Sequence, residues 1–400
     1  MSKTGYTHYK MRTAVHSAPG AIIRLPALFE SLGAKRVVLL SDQGLKDVGI
    51  VSQIEQVFAY GQLGKGAQLV GTYTDIAPDA ACATVNGALK FAREVAADAI
   101  LAVGGGSVLD ASKGVKYALH HKLLDIKDAV QAGAKFEVEP QAKPMNIPHI
   151  GVPTTAGTGA EVSNIAVLYN EESGIKGALI VPYIEPDIAV LDPNLSKGLP
   201  AFLTASTGMD ALTHALEGIA SPMANHFSDA HTITAAQLIE KNLPIVVTNG
   251  QDTAARTAML EASSMAINGM MAALNAAPIH NCSHAFGALF HIPHGDANAV
   301  LLPICLEVLA DFYLPNAHRL ALALNLRVAE NESNEQALEA VIARVNGLQQ
   351  ELACHSTFAK WNVQATDAER ITQAIASDPA GIFYPIPTDK VQAIIAKTIG

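Results

Sequence analysis

The sequence predicts two domains, an α/β domain built on a parallel sheet and, after it, an all-helical domain. Its 400 residues exceed what one hydrophobic core comfortably holds. In the first half, short apolar or β-branched runs alternate with longer stretches that have apolar residues at helical spacing. From about residue 200 onward only the helical pattern continues. The Pro- and Gly-rich segment 191–200 is the expected connection, which gives domains 1–195 and 196–400.

Four strand-like runs, short and apolar or β-branched, define the first domain. They are KRVVLLSD (35–42), AQLVGTY (67–73), DAILAVGGGS (98–107) and IPHIGVPTT (147–155). Between the second and third runs, DAACATVNGALKFAREVAA has the spacing of an amphipathic helix. Alternating strands and helices predict a parallel sheet that is covered on both faces.

Three long segments predict the helices that begin the second domain. They are FLTASTGMDALTHALEGIAS, SDAHTITAAQLIEKNLPIVV and DTAARTAMLEASSMAINGMMAALN. Residues 262–295 contain no Asp, Glu, Lys or Arg, which is also typical of a membrane span. The Asn and His side chains in that stretch would be costly in lipid, so we expect helices enclosed by other helices.

The composition excludes several classes of partner. The formal net charge of −10 and the pI near 5.8 argue against a nucleic-acid or anionic-membrane surface. The four cysteines are widely spaced and form no CxxC pair, so we expect buried thiols and no disulfide framework. The first residues lack an apolar signal-like run, which predicts a cytoplasmic protein.

A glycine-rich turn follows the third predicted strand. In AILAVGGGSVLDASKGV, an apolar strand runs through three glycines and a serine into a helix. Glycines permit a positive φ and a close approach of the backbone, and the first N–H groups of a helix attract anions. Leu109 replaces the third glycine of the usual dinucleotide motif. A phosphate site and a plain tight turn therefore both fit.

Two other strand ends favour the nucleotide interpretation. PTTAGTGAEVS (153–163) offers hydroxyl and backbone donors, and Asp42 ends an earlier strand. An acidic side chain in that position accepts hydrogen bonds from ribose hydroxyls and repels a 2′-phosphate, which predicts NAD(H) over NADP(H). The alternative is that Asp42 caps the helix that follows it.

The second half contains a cluster of candidate metal ligands. In MDALTHALEG, Asp210 and His214 are four residues apart, and so are His280 and His284 in HNCSHAFGALFHIPHG, which continues to His294. Residues at this spacing share one face of a helix, and helical bundles build divalent metal sites from such pairs. Carboxylate and imidazole ligands suit Fe(II), Zn(II), Mn(II), Co(II) or Ni(II). Singly, each residue has a structural alternative: a hydrogen-bonded core histidine, or a helix cap in the case of Asp210.

Six segments together resemble the iron-type, group III, metal-dependent alcohol dehydrogenases. They are GAKRVVLLSDQGL, AVGGGSVLDASKG, VPTTAGTGAEVS, IKGALIVPYIEPDIAVLDPNL, LPAFLTASTGMDALTHALEG and HIPHGDANAVLLP, in family order. The resemblance implies a Rossmann-like N-terminal domain, a helical C-terminal domain and an active site in the interdomain cleft. It also implies hydride transfer between a primary or small alcohol and NAD(H), with Fe(II) as the expected metal, Zn(II) as the alternative, and a homo-oligomer, commonly a dimer.

Site residues follow from the resemblance position by position. The implied metal ligands are Asp210, His214, His280 and His294, whereas His284 is implied to lie beside nicotinamide and substrate without binding the metal. The implied cofactor-binding residues, in addition to Asp42, are Gly105, Gly106, Ser107, Asp110, Thr154, Thr155, Thr158, Ser163 and Lys176.

The chain departs from the family at two places, and other functions stay open. MMAALNAAPIH stands where many members have a Gly-rich stretch beside the substrate, so preference for chain length does not transfer. Ala77 and Pro78 replace an Asn-Pro pair, which removes a polar cofactor contact. The alternatives are a lyase of the dehydroquinate synthase-like type, a zinc-dependent glycerol dehydrogenase, and a non-catalytic nucleotide-binding protein.

Overall fold

A computed structural model describes residues 7–61, 66–130, 133–138, 141–329 and 331–399. The chain divides into two compact units. The sheet unit comprises residues 11–155 and 159–198, and the helical unit comprises residues 7–10, 156–158 and 199–399. Residues 7–10 pack with the helical unit because Tyr9 stacks on Phe227, with ring centroids 4.8 Å apart, and bonds to His231.

A six-stranded parallel sheet forms the centre of the sheet unit and confirms the predicted fold class. Its strand order is β1-β9-β6-β4-β2-β3. The strands are β1 (Ala14–Ser17), β2 (Arg36–Leu40), β3 (Gln68–Tyr73), β4 (Ala99–Gly104), β6 (His149–Pro153) and β9 (Ile188–Leu191). A smaller sheet has the order β5-β8-β7 and contains β5 (Ala134–Phe136), β7 (Ile165–Asn170) and β8 (Ile175–Ile180). The four strand-like runs correspond to β2, β3, β4 and β6.

Both faces of the main sheet are buried, as the continuous apolar runs predict. Val38 and Leu40 of β2 belong to one hydrophobic core, and Val37 and Leu39 belong to another. Successive side chains of a strand point to opposite faces, so each core lies on its own side of the sheet. The helices of this unit are α1 (Leu25–Ser31), α2 (Gln43–Asp47), α3 (Ile50–Gly61), α4 (Cys82–Glu94), α5 (Gly106–His121) and α6 (Lys127–Val130).

The strand order creates a point where the chain reverses direction across the sheet. From β2 the chain moves outward to β3 and then returns to β4 on the other side of β2. Ligands of open parallel sheets bind at the carboxyl ends of the strands beside such a reversal. The carboxyl ends of β2 and β4 therefore mark the expected nucleotide site.

The helical unit has the all-α architecture that the sequence predicts. Its helices are α7 (Ala201–Ala220), α8 (His226–Thr248), α9 (Thr253–Ala272), α10 (Pro278–Phe290), α11 (His294–Val308), α12 (Ala310–Tyr313), α13 (Ala317–Ala323), α14 (Asn334–Glu351), α15 (Ala368–Ser377) and α16 (Thr388–Thr398). Within the described residues of both units, short 3-10 helices occur at Ala21–Arg24, Pro78–Ala80, Pro193–Leu195, Leu314–Asn316, Ala359–Trp361, Ala365–Asp367 and Pro379–Gly381. Capping boxes at Asn225 and Ser333 satisfy the first N–H groups of α8 and α14.

The charge-free stretch 262–295 is divided among α9, α10 and the start of α11, and most of its residues are buried in the core of the helical unit. Among the described residues, no single helix has both the length and the apolar character needed to cross a membrane. The bent pair His294–Val308 and Ala310–Ala323, at 86° to each other, meets that test by length and composition alone.

Candidate active site

The glycine-rich turn forms the junction between β4 and α5. Gly105 is the N-cap of α5, and Gly106 and Ser107 are its first helical residues. A Cβ at position 104 would lie 2.5 Å from Cβ of Val108, so only glycine fits there. Gly105 has φ −79°, and none of the three glycines is among the described residues with positive φ, so this turn does not use the left-handed conformation that glycine permits. Close packing explains Gly104, whereas a Cβ at Gly105 would make only ordinary contacts at 3.5 Å.

The strand order brings three of the predicted motifs to neighbouring strand ends. β4 pairs with β2 on one side and with β6 on the other, so Asp42, the glycine turn and Thr154 follow adjacent strands. The N–H of Thr154 donates to Gly104 O at 3.0 Å, which joins two of these ends directly. The N-terminus of α5 thus lies between an acidic side chain and threonine hydroxyls. Thr158 belongs to the helical unit.

Asp42 has the structural role that the sequence left open as an alternative. Its Oδ1 accepts a hydrogen bond from the N–H of Leu45 at 2.9 Å and caps α2. A carboxylate has several acceptor sites, so a capping aspartate retains capacity for a ribose hydroxyl. The cap fixes the orientation of the side chain at the carboxyl end of β2.

Two predicted cofactor residues bind a buried lysine. The ammonium of Lys113, fully buried, lies 3.1 Å from Oδ1 of Asp110 and 3.0 Å from Oγ of Ser163. The second oxygen of Asp110 accepts from the N–H of Val167 at 3.0 Å. These contacts fasten α5 to β7, so Asp110 and Ser163 hold the helix whose N-terminus is the candidate phosphate site.

Lys176 has a partner that the sequence reasoning missed. Its Nζ lies 2.7 Å from Oδ1 of Asp79, and the N–H of Asp79 donates to Oγ of Ser107 at 3.0 Å. Asp79 has φ 62°, which is strained for a residue with a side chain, and such strain concentrates at functional sites. Asp79 directly follows Ala77 and Pro78, where the sequence differs from the family. That difference was the feature of the sequence that could have drawn attention to Asp79.

Three of the four predicted metal ligands meet in the helical unit. One ligand atom each from Asp210, His280 and His294 lies within 4.8 Å of the others. Oδ1 of Asp210 is 3.7 Å from Nε2 of His280 and 3.4 Å from Nε2 of His294. These side chains come from α7, α10 and α11, and Asp210 lies in the middle of α7, which excludes the helix-cap alternative.

His214 and His284 flank this group. The ring of His214 stacks on that of His280, with centroids 4.5 Å apart, and lies outside the set of three ligand atoms. The His284 ring lies 5.5 Å from that of His294, and its Nδ1 is 3.2 Å from Oδ2 of Asp378. His291 is exposed and ends α10 in a left-handed conformation.

The charges of the group depend on burial and on one another. Burial alone would raise the pKa of Asp210, but the surrounding histidines hold it well below its usual range. Burial lowers the pKa of His214 to about 4. Burial would also lower the pKa of His280, but the carboxylates of Glu217 and Asp210 outweigh it and raise the pKa to about 9. An anionic carboxylate facing several imidazole nitrogens is a donor set that fits a divalent cation.

Two further side chains of this site escaped the sequence reasoning. Glu217, fully buried, bonds through Oε2 to Nδ1 of His280. The amide of Asn298 donates to Oδ1 of Asp210 at 2.7 Å and lies 3.2 Å from Nε2 of His294. Spacing offered a signal for both, because Glu217 follows Asp210 by seven residues and Asn298 follows His294 by four.

Comparison with known proteins identifies two matching families, one for each half of the chain. Residues 13–193 match the family described as iron-containing alcohol dehydrogenase, and residues 204–399 match the C-terminal domain of the Fe-containing alcohol dehydrogenase family. The chain is 36% identical over 291 residues to long-chain-alcohol dehydrogenase 1 of Geobacillus thermodenitrificans, covering 72% of this chain and 70% of that protein.

Two further likenesses cover more of the chain. The chain is 34% identical to the probable alcohol dehydrogenase EutG of Escherichia coli, over 82% of this chain and 79% of that protein. The crystal structure of a 1,3-propanediol oxidoreductase superposes with a TM-score of 0.89 at 29% identity, covering 99% of this chain and 100% of that one. This chain and the 1,3-propanediol oxidoreductase therefore share the same fold over nearly their full lengths.

Proposed function

The chain belongs to the iron-containing alcohol dehydrogenase family, and we propose that its helical unit binds the catalytic metal through Asp210, His214, His280 and His294. It is an oxidoreductase that transfers hydride between an alcohol and NAD(H). One observation carries the proposed site: ligand atoms of three residues from three different helices lie within 4.8 Å of one another. His214 is included as the fourth ligand on the family resemblance, and its ring lies against that of His280, with centroids 4.5 Å apart.

The donor set determines the chemistry of the proposed centre. A bound Fe(II) ion, or Zn(II) as the alternative, supplies Lewis acidity that lowers the pKa of an alcohol and polarises an aldehyde carbonyl. Asp210 provides the negative charge, and the imidazoles complete a nitrogen-rich set. His284, held by Asp378, orients the substrate or helps to move its hydroxyl proton out of the site.

The sheet unit provides the cofactor site in this proposal. The first N–H groups of α5, at Gly105, Gly106 and Ser107, bind the pyrophosphate of NAD(H). Asp42 accepts hydrogen bonds from the adenosine ribose, and its charge disfavours a 2′-phosphate.

The remaining cofactor residues contribute in two ways. Thr154, Thr155 and Thr158 add hydroxyl donors, and Lys176 reaches the ribose next to nicotinamide. Asp110 and Ser163 act indirectly, because both bind the lysine that holds α5 in place.

The proposal extends to cell compartment and assembly. The cysteines of the described residues are free thiols, and three of the four are buried, which fits a reducing cytoplasm. We expect a homo-oligomer with the dimer as its smallest form. Size-exclusion chromatography with light scattering at micromolar concentration tests this, and a purely monomeric enzyme would contradict it.

Anaerobic purification followed by metal analysis tests the proposed function. The enzyme, as isolated or reconstituted with Fe(II) or Zn(II), is assayed for NADH oxidation with aldehydes of increasing length and for NAD⁺ reduction with the matching alcohols. We expect about one metal ion per chain and turnover that depends on it. Full turnover by metal-free protein would contradict the metal site, and much faster turnover with NADPH would contradict the role of Asp42.

A further inference from the structure

We propose that Glu217 is the positioning residue of the metal centre: it fixes His280 so that Nε2, and not Nδ1, is available to the metal. The inference rests on the proposed function, because it concerns one of the proposed ligands. Glu217 itself does not touch the three ligand atoms that lie together. It acts through the opposite edge of the His280 ring.

The contacts of Glu217 define this role. Oε2 of Glu217 bonds to Nδ1 of His280, and Oε1 accepts from the N–H of Ile279 at 2.6 Å. One carboxylate thus binds two consecutive residues at the start of α10. Because an ionised carboxylate only accepts, the Nδ1 that faces it must carry the proton. Nδ1 is thus occupied by Glu217, and Nε2, which is 3.7 Å from Oδ1 of Asp210, is the ring nitrogen left to bind a metal in place of its proton.

The location of Glu217 argues against the explanation that it serves only to stabilise the fold. Its side chain is fully buried at a position where α7 packs into an apolar core with Cys282, Cys305 and Tyr313. A buried carboxylate is costly, and apolar residues of similar volume are often at least as stabilising. With Asp210 it gives the site two negative charges, which match the charge of a divalent ion. Histidine ligands commonly have such a carboxylate partner, which fixes the tautomer and increases the basicity of the ring.

Replacement with glutamine separates positioning from folding. In Glu217→Gln the amide oxygen can still accept from Ile279 N–H, and the amide NH₂ then donates to Nδ1 of His280. That arrangement satisfies every hydrogen bond, so the protein should fold. It requires the proton of His280 to move to Nε2, which is the nitrogen that the metal needs. The variant therefore retains the packing and loses the correct tautomer.

Binding of Co(II) to metal-stripped full-length protein is the direct test. The affinity is measured by competition with a chelator, and the visible d–d absorption of Co(II) reports the ligand geometry. We expect Glu217→Gln to weaken binding by about 10- to 100-fold, with an altered spectrum. Glu217→Asp retains both acceptor oxygens on a shorter side chain and should recover part of the affinity. Melting of metal-free protein and NADH binding should change little in either variant.

Two controls make every outcome decisive. Tyr313→Phe removes a hydroxyl that lies near Glu217 and has no hydrogen-bond partner among the described residues, and it should leave affinity and spectrum unchanged. His280→Ala should abolish binding; if it does not, the proposed ligand set is wrong, whatever Glu217 does. If His280→Ala loses the metal while Glu217→Gln binds Co(II) within twofold of the parent and with the same spectrum, the positioning role is wrong.

Discussion

The two units build their candidate sites from different materials. In the sheet unit, the N-terminus of α5 presents backbone N–H groups, and nearby side chains such as Asp42 and Asp110 already have structural partners. In the helical unit, the site consists of side chains alone, which project from three helices toward one another. A backbone site should tolerate changes in its supporting side chains, whereas a side-chain site should fail when one ligand is lost.

The largest expected effect comes from the side-chain site. Asp210→Asn preserves the size of the residue but removes the only carboxylate among the three clustered ligands. Metal-assisted stabilisation of this kind is worth several kcal/mol, so turnover should fall about 10³-fold or more. Fluorescence titration should show NADH affinity within twofold of the parent. If Asp210→Asn retains turnover within tenfold of the parent, the loss of one ligand does not disable this site.

Two adjacent glycines of the backbone site, Gly104 and Gly105, should differ in what they contribute: Gly104 to stability and Gly105 to NADH binding. Gly104→Ala places a methyl group 2.5 Å from Cβ of Val108 and should reduce the free energy of unfolding by about 1–3 kcal/mol. Gly105→Ala meets only Thr155, at 3.5 Å, so it should preserve stability. Its methyl group lies at the N-cap of α5 and should weaken NADH binding by about tenfold, or 1.4 kcal/mol. Urea denaturation measures the free energy of unfolding of both variants, and titration measures their NADH affinity. If the two variants lose the same stability and the same NADH affinity, the different roles of Gly104 and Gly105 are wrong.

Asp42 tests whether a structural cap can also select the cofactor. Asp42→Ser retains an N-cap for α2 but removes the charge, so stability should change by less than about 0.5 kcal/mol. The Michaelis constant for NADPH should fall by about tenfold, because a repulsion of about 1 kcal/mol or more is lost. Asp42→Ala is the matched variant without a cap and should lose about 1 kcal/mol of stability. An unchanged preference for NADH over NADPH in both variants would restrict Asp42 to capping.

The last prediction concerns the pH dependence of stability. Burial lowers the pKa of His149 in the sheet unit well below its usual value, and the charges of Lys116 and Lys113 add to this effect. As pH falls below about 6.5 the unfolded chain binds a proton that the folded chain does not, so stability is lost toward acid. The loss is at most about 1.4 kcal/mol per pH unit for this group. His149→Gln should reduce that slope between pH 6.5 and 5 in urea unfolding; an equal slope would show that His149 does not contribute.

The sequence predicted the elements that carry strong local signals. The runs that became β2, β3, β4 and β6 are apolar and bounded by turn residues, and the helical segments of the second half have clear periodicity. The short β1, AVHS, and the strands of the small sheet were not distinguished. β1 pairs with β9 and β5 pairs with β8, and both partners are distant in the chain, so no local pattern marks them. β7 and β8 are different, because they form a hairpin across residues 171–174 that the sequence analysis missed.

For the site, spacing and the family resemblance together indicated which residues belong to the cluster, but not which other side chains contact them. Spacing alone paired Asp210 with His214 and His280 with His284, and the family resemblance then implied Asp210, His214, His280 and His294 as ligands. In the structure, one ligand atom each of Asp210, His280 and His294 lies within 4.8 Å of the others. The buried Lys113, which binds Asp110 and Ser163, depends on a packing distance across the fold. The contact between Glu217 and His280 spans 63 residues, and only the folded helices reveal it.

Metal content is the most direct test of the proposed centre. Parent, His280→Ala and His284→Ala proteins are reconstituted with Fe(II) under anaerobic conditions, desalted and analysed for metal per chain. His280 and His284 lie four residues apart in the same helix, α10, so each substitution serves as the control for the other. We predict about one ion per chain in the parent and in His284→Ala, and almost none in His280→Ala. Retention of metal by His280→Ala, or its loss from His284→Ala, would contradict the assignment of ligands.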